Sequence, residues 1–183
     1  MKRVHICSAA MAGFLFFAAS AGVQSADLSV KAFYGKFQGG GVAENDDSFY
    51  FGVTARDFDV TIAPAAEGFS VAWTSVIRGG GAISGKPATR RKSSMRTFRS
   101  TARTGVWQAI KSKDPVSGGE LCWARIKDNT LTVFLMVVGA RGAYELQQYD
   151  RTLLPSGMEM NFTRLRDGDK VRRVKGRLVK VAQ

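Results

Sequence analysis

Residues 118–154, GGELCWARIKDNTLTVFLMVVGARGAYELQQYDRTLL, decide the fold, because three runs typical of β-strands follow one another with only short turns between them. In the first run, residues 120–127, successive side chains would point to opposite sides of a strand, with Trp123 on one face and Cys122 on the other. Asp128 and Asn129 come next, and both residue types tolerate turn conformations. The pattern predicts a strand that turns back at once onto its successor.

The second run, residues 130–138, consists mostly of β-branched and other apolar residues. A helix is the competing interpretation, but the short length, the β-branched content and the turn-rich flanks favour a strand. A strand this apolar is expected in the middle of a sheet, covered on both sides. Gly139 and Gly142 allow the next turn, and residues 143–153 then alternate as a third strand. The whole stretch predicts an antiparallel meander.

The first 26 residues have the composition of an export signal. Lys2 and Arg3 give a basic start, residues 6–22 are apolar or small, and Asp27 is the first acidic residue. The apolar run is short for a membrane span and lacks a stop-transfer flank, so cleavage is expected rather than anchoring. The sequence predicts a signal peptide at 1–26 and a single domain at 27–183, periplasmic or secreted, with the cleavage position open over several residues.

Loss of the signal peptide limits the chemistry of the mature domain. The single histidine, His5, lies in the signal, and Cys122 is the one cysteine of residues 27–183. Catalysis by Ser-His-Asp or Cys-His, zinc sites that need imidazole, and an internal disulfide are therefore excluded. We expect no catalytic residues, no metal site and no cofactor. Asp57 and Asp59 would share a strand face, so a carboxylate-based enzyme stays open as an alternative.

The rest of the domain alternates in the same way in short segments, which are residues 27–42, 57–62, 69–78, 93–102, 105–110, 158–165 and 171–181. The prediction is an all-β fold, an antiparallel up-and-down meander of about eight or nine strands. A closed barrel is favoured over a two-sheet sandwich, because neighbouring strands connect directly and closure protects apolar strand edges. Residues 79–92 form the longest loop, glycine-rich at its start and basic at its end.

The segment Phe33-Tyr34-Gly35-Lys36-Phe37 resembles the G-x-W signature that opens lipocalin-type (calycin) β-barrels, with Phe37 in the tryptophan position. The resemblance implies that Phe37 is buried under the barrel floor near a basic residue of the last strand, for which Arg177 is the candidate. It also implies a cup for a small apolar ligand. The chain resembles, in addition, small exported proteins of Gram-negative bacteria, which implies a compartment and no activity.

Positive charge concentrates at residues 86–103 and 164–180. If those strands are neighbours, a basic face would attract lipid headgroups, an anionic membrane surface or another anionic molecule, whereas nucleic acid is not an expected partner of an exported protein. Core packing is the alternative explanation for each aromatic residue, and solubilising charge for each cation. The candidate ligand-binding residues are Phe69, Trp73, Trp123, Tyr144, Arg90 and Arg91.

The predicted function is an exported, non-enzymatic binding protein. Its ligand would be apolar or amphipathic and anionic, lipid-like in character, held in the barrel cup with arginines at the mouth. The alternative is an envelope structural or interaction protein whose filled core leaves no cavity and whose basic surface meets a partner. A cavity beside Trp73 and Trp123 would distinguish the first function from the second.

Overall fold

The computed structural model describes residues 26–45, 54–78 and 89–183, and these form a closed antiparallel barrel of ten strands. Each strand pairs with its neighbour along the chain, and the first pairs with the last. The strands are β1 Gly35–Asn45, β2 Thr54–Ala65, β3 Gly68–Arg78, β4 Thr89–Ser100, β5 Val106–Ala109, β6 Glu120–Lys127, β7 Thr130–Val138, β8 Tyr144–Leu154, β9 Gly157–Arg166 and β10 Asp169–Ala182. The predicted all-β barrel is confirmed, with ten strands instead of eight or nine.

Two predicted segments lie mainly outside the described residues. Of the predicted signal peptide, only Ala26 is described, and of the loop at 79–92 only residues 89–92, which belong to β4. Before β1, a short 3-10 helix spans Val30–Phe33. No helix in the described part of the chain is long and apolar enough to cross a membrane.

The meander of residues 118–154 is present as β6, β7 and β8, with the predicted faces. Cys122 of β6 faces the interior and pairs with Leu135 of β7, which in turn pairs with Gln147 of β8. The turn between β6 and β7 places Asp128 at a φ of 53°, in the left-handed region that Asp tolerates. The expectation that residues 130–138 are covered on both sides was wrong. Leu131, Val133 and Leu135 on the inner face are buried, but Phe134 on the outer face is half-exposed, because a closed barrel has only one covered side.

One end of the barrel is filled by aromatic side chains. Phe33 from the short helix is fully buried there, and Phe69 stacks on Phe98 with ring centroids 5.0 Å apart. Phe37 is buried at the same end, and the cation over its ring is Lys180, whose Nζ lies 5.9 Å from the ring centroid. Arg177, the residue expected beside Phe37, is exposed on the outer face instead, three positions earlier on β10. This aromatic floor closes the barrel.

The first strand approaches β10 so closely that two of its residues must be glycine. A Cβ atom added to Gly39 would lie 2.0 Å from the carbonyl oxygen of Arg177, and one added to Gly41 would lie 2.0 Å from that of Lys175. Contacts this short are forbidden sterically, so any side chain would push β1 away from its partner. Gly40 between them has space, because its added Cβ would come no closer than 3.4 Å to another atom. The glycine run therefore allows the ring of strands to close.

The barrel wall has a seam between β4 and β6, because β5 is only four residues long. β5 pairs with β4 at Phe98, Arg99 and Ser100 and with β6 over a similarly short ladder. The preceding part of β4, residues 89–96, has no ladder partner on this side among the described strands. An ion pair crosses the seam there, with Nη2 of Arg96 2.8 Å from Oε1 of Glu120. The two side chains complete the wall where backbone pairing is missing.

Candidate functional site

A cavity of about 330 Å³ lies inside the barrel, at the end away from the short helix. The two ends of β6 show this position. Its first residue, Glu120, lines the cavity. The turn after its last residue lies at the other end of the barrel, where Leu28 N, just before the short helix, donates to the carbonyl oxygen of Asp128. Its apolar wall consists of Phe58, Trp73, Leu135, Tyr149, Met160, Phe162 and Val174. Its basic rim consists of Arg56, Lys92, Arg96, Arg164 and Arg172. The site therefore joins an apolar interior to cationic side chains.

The centre of the apolar wall is a row of three aromatic rings. Trp73 contacts Tyr149 with centroids 5.2 Å apart, and Tyr149 contacts Phe162 with centroids 4.7 Å apart. Tyr149 and Phe162 are direct partners on β8 and β9, so the alternation of those strands points both rings inward. Burial raises the pKa of Tyr149 to about 12, and its hydroxyl donates to Oε1 of Gln147 at 2.8 Å. The row offers a neutral aromatic surface with a polar edge toward the rim.

Two cations of the basic rim are paired with carboxylates. Arg96 donates to Oε1 of Glu120 from Nε at 3.2 Å and from Nη2 at 2.8 Å. Arg164 donates to Oε2 of Glu145. Burial alone would raise the pKa of Glu145, but hydrogen bonds from Arg164 and Gln147 outweigh it, and the pKa falls below its ordinary value. Glu145 is therefore ionised at neutral pH, and each carboxylate holds its arginine in place.

Arg56 and Arg172 meet across β1, which places small residues between them. On the inner face of β1, Gly41 pairs with Arg56, and Ala43 follows two positions later. Burial and the nearby charge of Arg172 lower the pKa of Arg56 to about 10, and its Nη1 lies 3.5 Å from the Ser75 hydroxyl, to which it donates. The two guanidinium groups are thus close enough to repel each other.

An irregularity in β10 brings Arg172 to this position. The pairing of β10 with β9 shifts between Lys170 and Arg172, and Arg172 then stands directly opposite Arg164. A bulge of this kind re-aims a side chain relative to its neighbours. Like charges that face each other directly on neighbouring strands repel each other.

A further arginine, Arg151, is fully buried below the aromatic row. Its Cζ lies 5.4 Å from the ring centroid of Trp73 and 5.7 Å from that of Tyr149. None of its three side-chain nitrogens has a hydrogen-bond partner among the described residues. Burial lowers the pKa of Arg151 to about 10. The aromatic faces and the nearby Asp150 offset part of the cost of burying this charge.

Of the six residues predicted to bind a ligand, Trp73 alone lines the cavity. Phe69 is fully buried in the aromatic floor. Trp123 stacks on Phe134 on the outer face, with centroids 4.8 Å apart, and Tyr144 lies on the outer face of β8. The space expected beside Trp73 and Trp123 is therefore present only beside Trp73.

The two predicted mouth arginines lie on β4. Arg91 points outward, where its Nη2 is 3.8 Å from Oδ2 of Asp59. Arg90 is exposed and pairs with Ile77. Two of the rim cations that sequence analysis missed, Arg56 and Arg96, share one signal, an even spacing from a buried aromatic residue. Arg56 precedes Phe58 by two positions and Arg96 precedes Phe98 by two, which puts each cation on the inner face.

The chemistry available in the cavity is recognition of an anion joined to an apolar group. Burial raises the pKa of Cys122 to about 11, which keeps that thiol protonated and a poor nucleophile. In the described part of the chain, no three His, Cys, Asp or Glu side chains come together as a metal site.

Comparisons with known proteins support the fold. No protein-family model matches the chain, and no curated protein matches it. A solved structure is similar, that of a protein of unknown function from the DUF3598 family of Nostoc punctiforme PCC 73102, with a TM-score of 0.53 and 14% identity. The match covers 90% of this chain and 53% of that one, so this chain spans about half the length of that protein. At this identity the two share the barrel fold.

Proposed function

We propose that the chain is an exported, non-enzymatic binding protein that holds a small amphipathic anion in the barrel cavity. The observation that supports this function best is the division of the cavity into an aromatic wall and a basic rim. Ligand sites in proteins are typically concave and mostly apolar, with a few polar groups that fix orientation. Here the aromatic row would take the apolar part of a ligand, and the rim would hold its anionic group.

The size of the cavity limits the ligand. Its volume of about 330 Å³ lies at the lower end of the range of about 300–1,000 Å³ for small-molecule sites. A molecule with one ring system or one short chain is of suitable size, whereas a diacyl lipid is not. The lipid-like ligand is therefore a small one.

The barrel is also proposed to be lipocalin-like. Phe37 is buried at the closed end with Lys180 over its ring, which corresponds to the aromatic and basic pair that the resemblance implies. Export to the periplasm or the medium is proposed from the basic and apolar start of the chain. Fractionation of cells that express the full chain tests it: a shortened protein in the periplasm supports export, and a full-length protein in the cytoplasm contradicts it.

A fluorescence titration with 1-anilinonaphthalene-8-sulfonate, an amphipathic anion, tests binding in the cavity. Trp73→Leu alters the aromatic row, and Trp123→Leu alters the outer face as a matched control. We expect the first variant to weaken binding about tenfold, since loss of one aromatic contact of about 1–1.5 kcal/mol has that effect. The control should bind as the unchanged protein does. Equal affinities of the two variants, both folded by circular dichroism, would count against the cavity.

A second candidate function is that of an envelope interaction protein with a basic partner-binding surface. Lys175 and Arg177 are exposed on the outer face of β10, and such a pair of cations attracts anionic surfaces. Binding to anionic vesicles by the unchanged protein, lost in Lys175→Gln with Arg177→Gln, would favour this function. Vesicle binding that survives both substitutions would argue against it.

A further inference from the structure

Three arginines from three strands converge at the end of the cavity away from the short helix, and we call Arg56, Arg164 and Arg172 the arginine cluster. Arg164 and Arg172 are direct partners on β9 and β10. Arg56 reaches Arg172 from β2, across the small residues of β1. The cluster therefore lies on the inner side of four consecutive strands, β9, β10, β1 and β2.

Concentrating cations in this way opposes folding. Partial burial removes water from the guanidinium groups, and their mutual repulsion adds to that cost. Glu145 offsets one positive charge through its contact with Arg164. Arg56 donates to a neutral hydroxyl, that of Ser75. An anion placed among the three arginines would offset both the repulsion and the lost hydration.

From this geometry we infer that the arginine cluster binds the dianionic phosphoryl group of a phosphomonoester. A guanidinium group presents parallel N–H donors that match two phosphate oxygens, and phosphate has enough oxygens to meet more than one such group. A phosphomonoester carries about two negative charges at neutral pH, whereas a carboxylate carries one. Because the attraction between the three guanidinium groups and the ligand grows with the negative charge of the ligand, the arginine cluster favours a phosphoryl group over a carboxylate.

This inference rests on the proposed function for the rest of the ligand. The apolar wall begins next to the cluster, since Phe58 follows Arg56 by two positions on the inner face of β2, and Phe162 precedes Arg164 by two on β9. A phosphoryl group on the cluster would direct its substituent toward the ring of Phe162. The ligand class is therefore a phosphomonoester of a small aromatic or short-chain alcohol.

Isothermal titration calorimetry of the full chain at pH 8 and low salt tests the inference with four probes. 1-Naphthyl phosphate is the dianion, 1-naphthalenesulfonate is a monoanion with the same ring, 1-naphthol is neutral, and inorganic phosphate has no ring. We expect naphthyl phosphate to bind at least about tenfold more tightly than the sulfonate, since charged hydrogen bonds contribute about 1.5–3 kcal/mol each. Naphthol should bind more weakly than either.

Substitutions of Arg56 and Arg172 test whether these side chains bind the phosphoryl group. Arg56→Gln and Arg172→Gln should each weaken naphthyl phosphate binding about tenfold and leave naphthol binding unchanged, because each removes a charged donor. Arg91→Gln is the matched control, because Arg91 lies on the outer face beside Asp59. Folding of every variant is checked by circular dichroism.

Each outcome separates the inference from the proposed function. If naphthyl phosphate and the sulfonate bind equally, and neither substitution affects them, the phosphoryl site is refuted while the binding cavity stands. If inorganic phosphate binds through Arg56 and Arg172 but none of the naphthyl compounds binds, the arginine cluster is supported and the apolar cup is refuted. If none of the four probes binds, both proposals fail.

Discussion

Replacement of Arg151 by methionine is expected to leave the protein as stable as before or slightly more stable. Arg151 is fully buried, and none of its side-chain nitrogens has a hydrogen-bond partner among the described residues. Most substitutions of buried residues destabilise a protein, so this expectation differs from the usual one. Methionine is unbranched and adaptable, so it can fill the space of the arginine stem without a charge.

The expected magnitude follows from two opposing effects. Burial lowers the pKa of Arg151 from 12.5 to about 10, and at 1.36 kcal/mol for each pKa unit the charged form costs about 3 kcal/mol in the folded state. This cost is present at neutral pH, below both pKa values, where the unfolded chain is charged without penalty. Against it stand the contacts with Trp73 and Tyr149, at about 1 kcal/mol each. Arg151→Met should therefore gain about 1 kcal/mol.

Urea denaturation followed by tryptophan fluorescence measures the change, and thermal unfolding should show a rise of about 2–4 °C for a domain of this size. Arg151→Ala is the control for packing, because it removes the stem as well and should be about 2–3 kcal/mol less stable than the methionine variant. A loss of more than about 2 kcal/mol in Arg151→Met would refute the reasoning. It would show that interactions of the guanidinium group stabilise the folded protein by more than its two aromatic contacts do.

Three more expectations concern the barrel wall and the thiol. Gly39→Ala should destabilise the protein by about 2 kcal/mol or more, because its Cβ would lie 2.0 Å from a β10 carbonyl oxygen, whereas Gly40→Ala should be neutral or slightly stabilising in the same urea assay. Equal stabilities of the two glycine variants would contradict the close approach of the strands. At pH 8, alkylation of Cys122 should be at least about a hundredfold slower in the folded than in the unfolded protein, because burial raises its thiol pKa to about 11; similar rates would show an accessible thiolate. Amide exchange should be faster along the seam side of β4, residues 89–96, than in β7, and Glu120→Gln should increase it further by weakening the contact with Arg96. Uniform protection of β4 and β7 would mean that the seam is closed.

The fold was predictable because local patterns determine it. Alternation placed Cys122 and Trp123 on opposite faces of β6, and the structure agrees, but Trp123, which was expected to line the cavity, is on the outer face. The turns at Asp128 and at Gly142 were also visible in the sequence, and both residues adopt positive φ angles. What the sequence could not show is the exposure of the outer face of β7. A sheet that closes on itself and a sheet packed against another layer contain the same apolar run, and only the closed sheet leaves Phe134 half-exposed.

The candidate site was less predictable, because it depends on which residues face inward at one end of the barrel. The basic end of the loop at 79–92 predicts Arg90 and Arg91 at the mouth, but both belong to β4, where adjacent residues point to opposite faces and cannot both line one cavity. The position of Arg172 depends on an irregularity in β10, and strand alternation by itself does not reveal where such a shift occurs. The barrel closure that places β10 beside β1 then brings Arg172 near Arg56. The last two steps depend on pairing between residues that are far apart in the sequence.

Arg151 and Arg172 make it possible to separate a structural charge from a functional one within the same barrel. Both are cations on the inner face, but Arg151 lies beneath the aromatic row with no exposed surface, whereas Arg172 is half-buried and lines the cavity. A ligand in the cavity can therefore contact Arg172 directly and Arg151 only through the intervening rings. Arg151→Met should change stability and leave naphthyl phosphate affinity nearly unchanged. Arg172→Gln should weaken that affinity about tenfold without loss of stability, since Arg172 is half-exposed and its removal also relieves the repulsion from Arg56. If Arg151→Met reduced affinity as strongly as Arg172→Gln, the ligand would have to reach below Trp73 and Tyr149, and the anion site would lie at the bottom of the cavity instead of its rim.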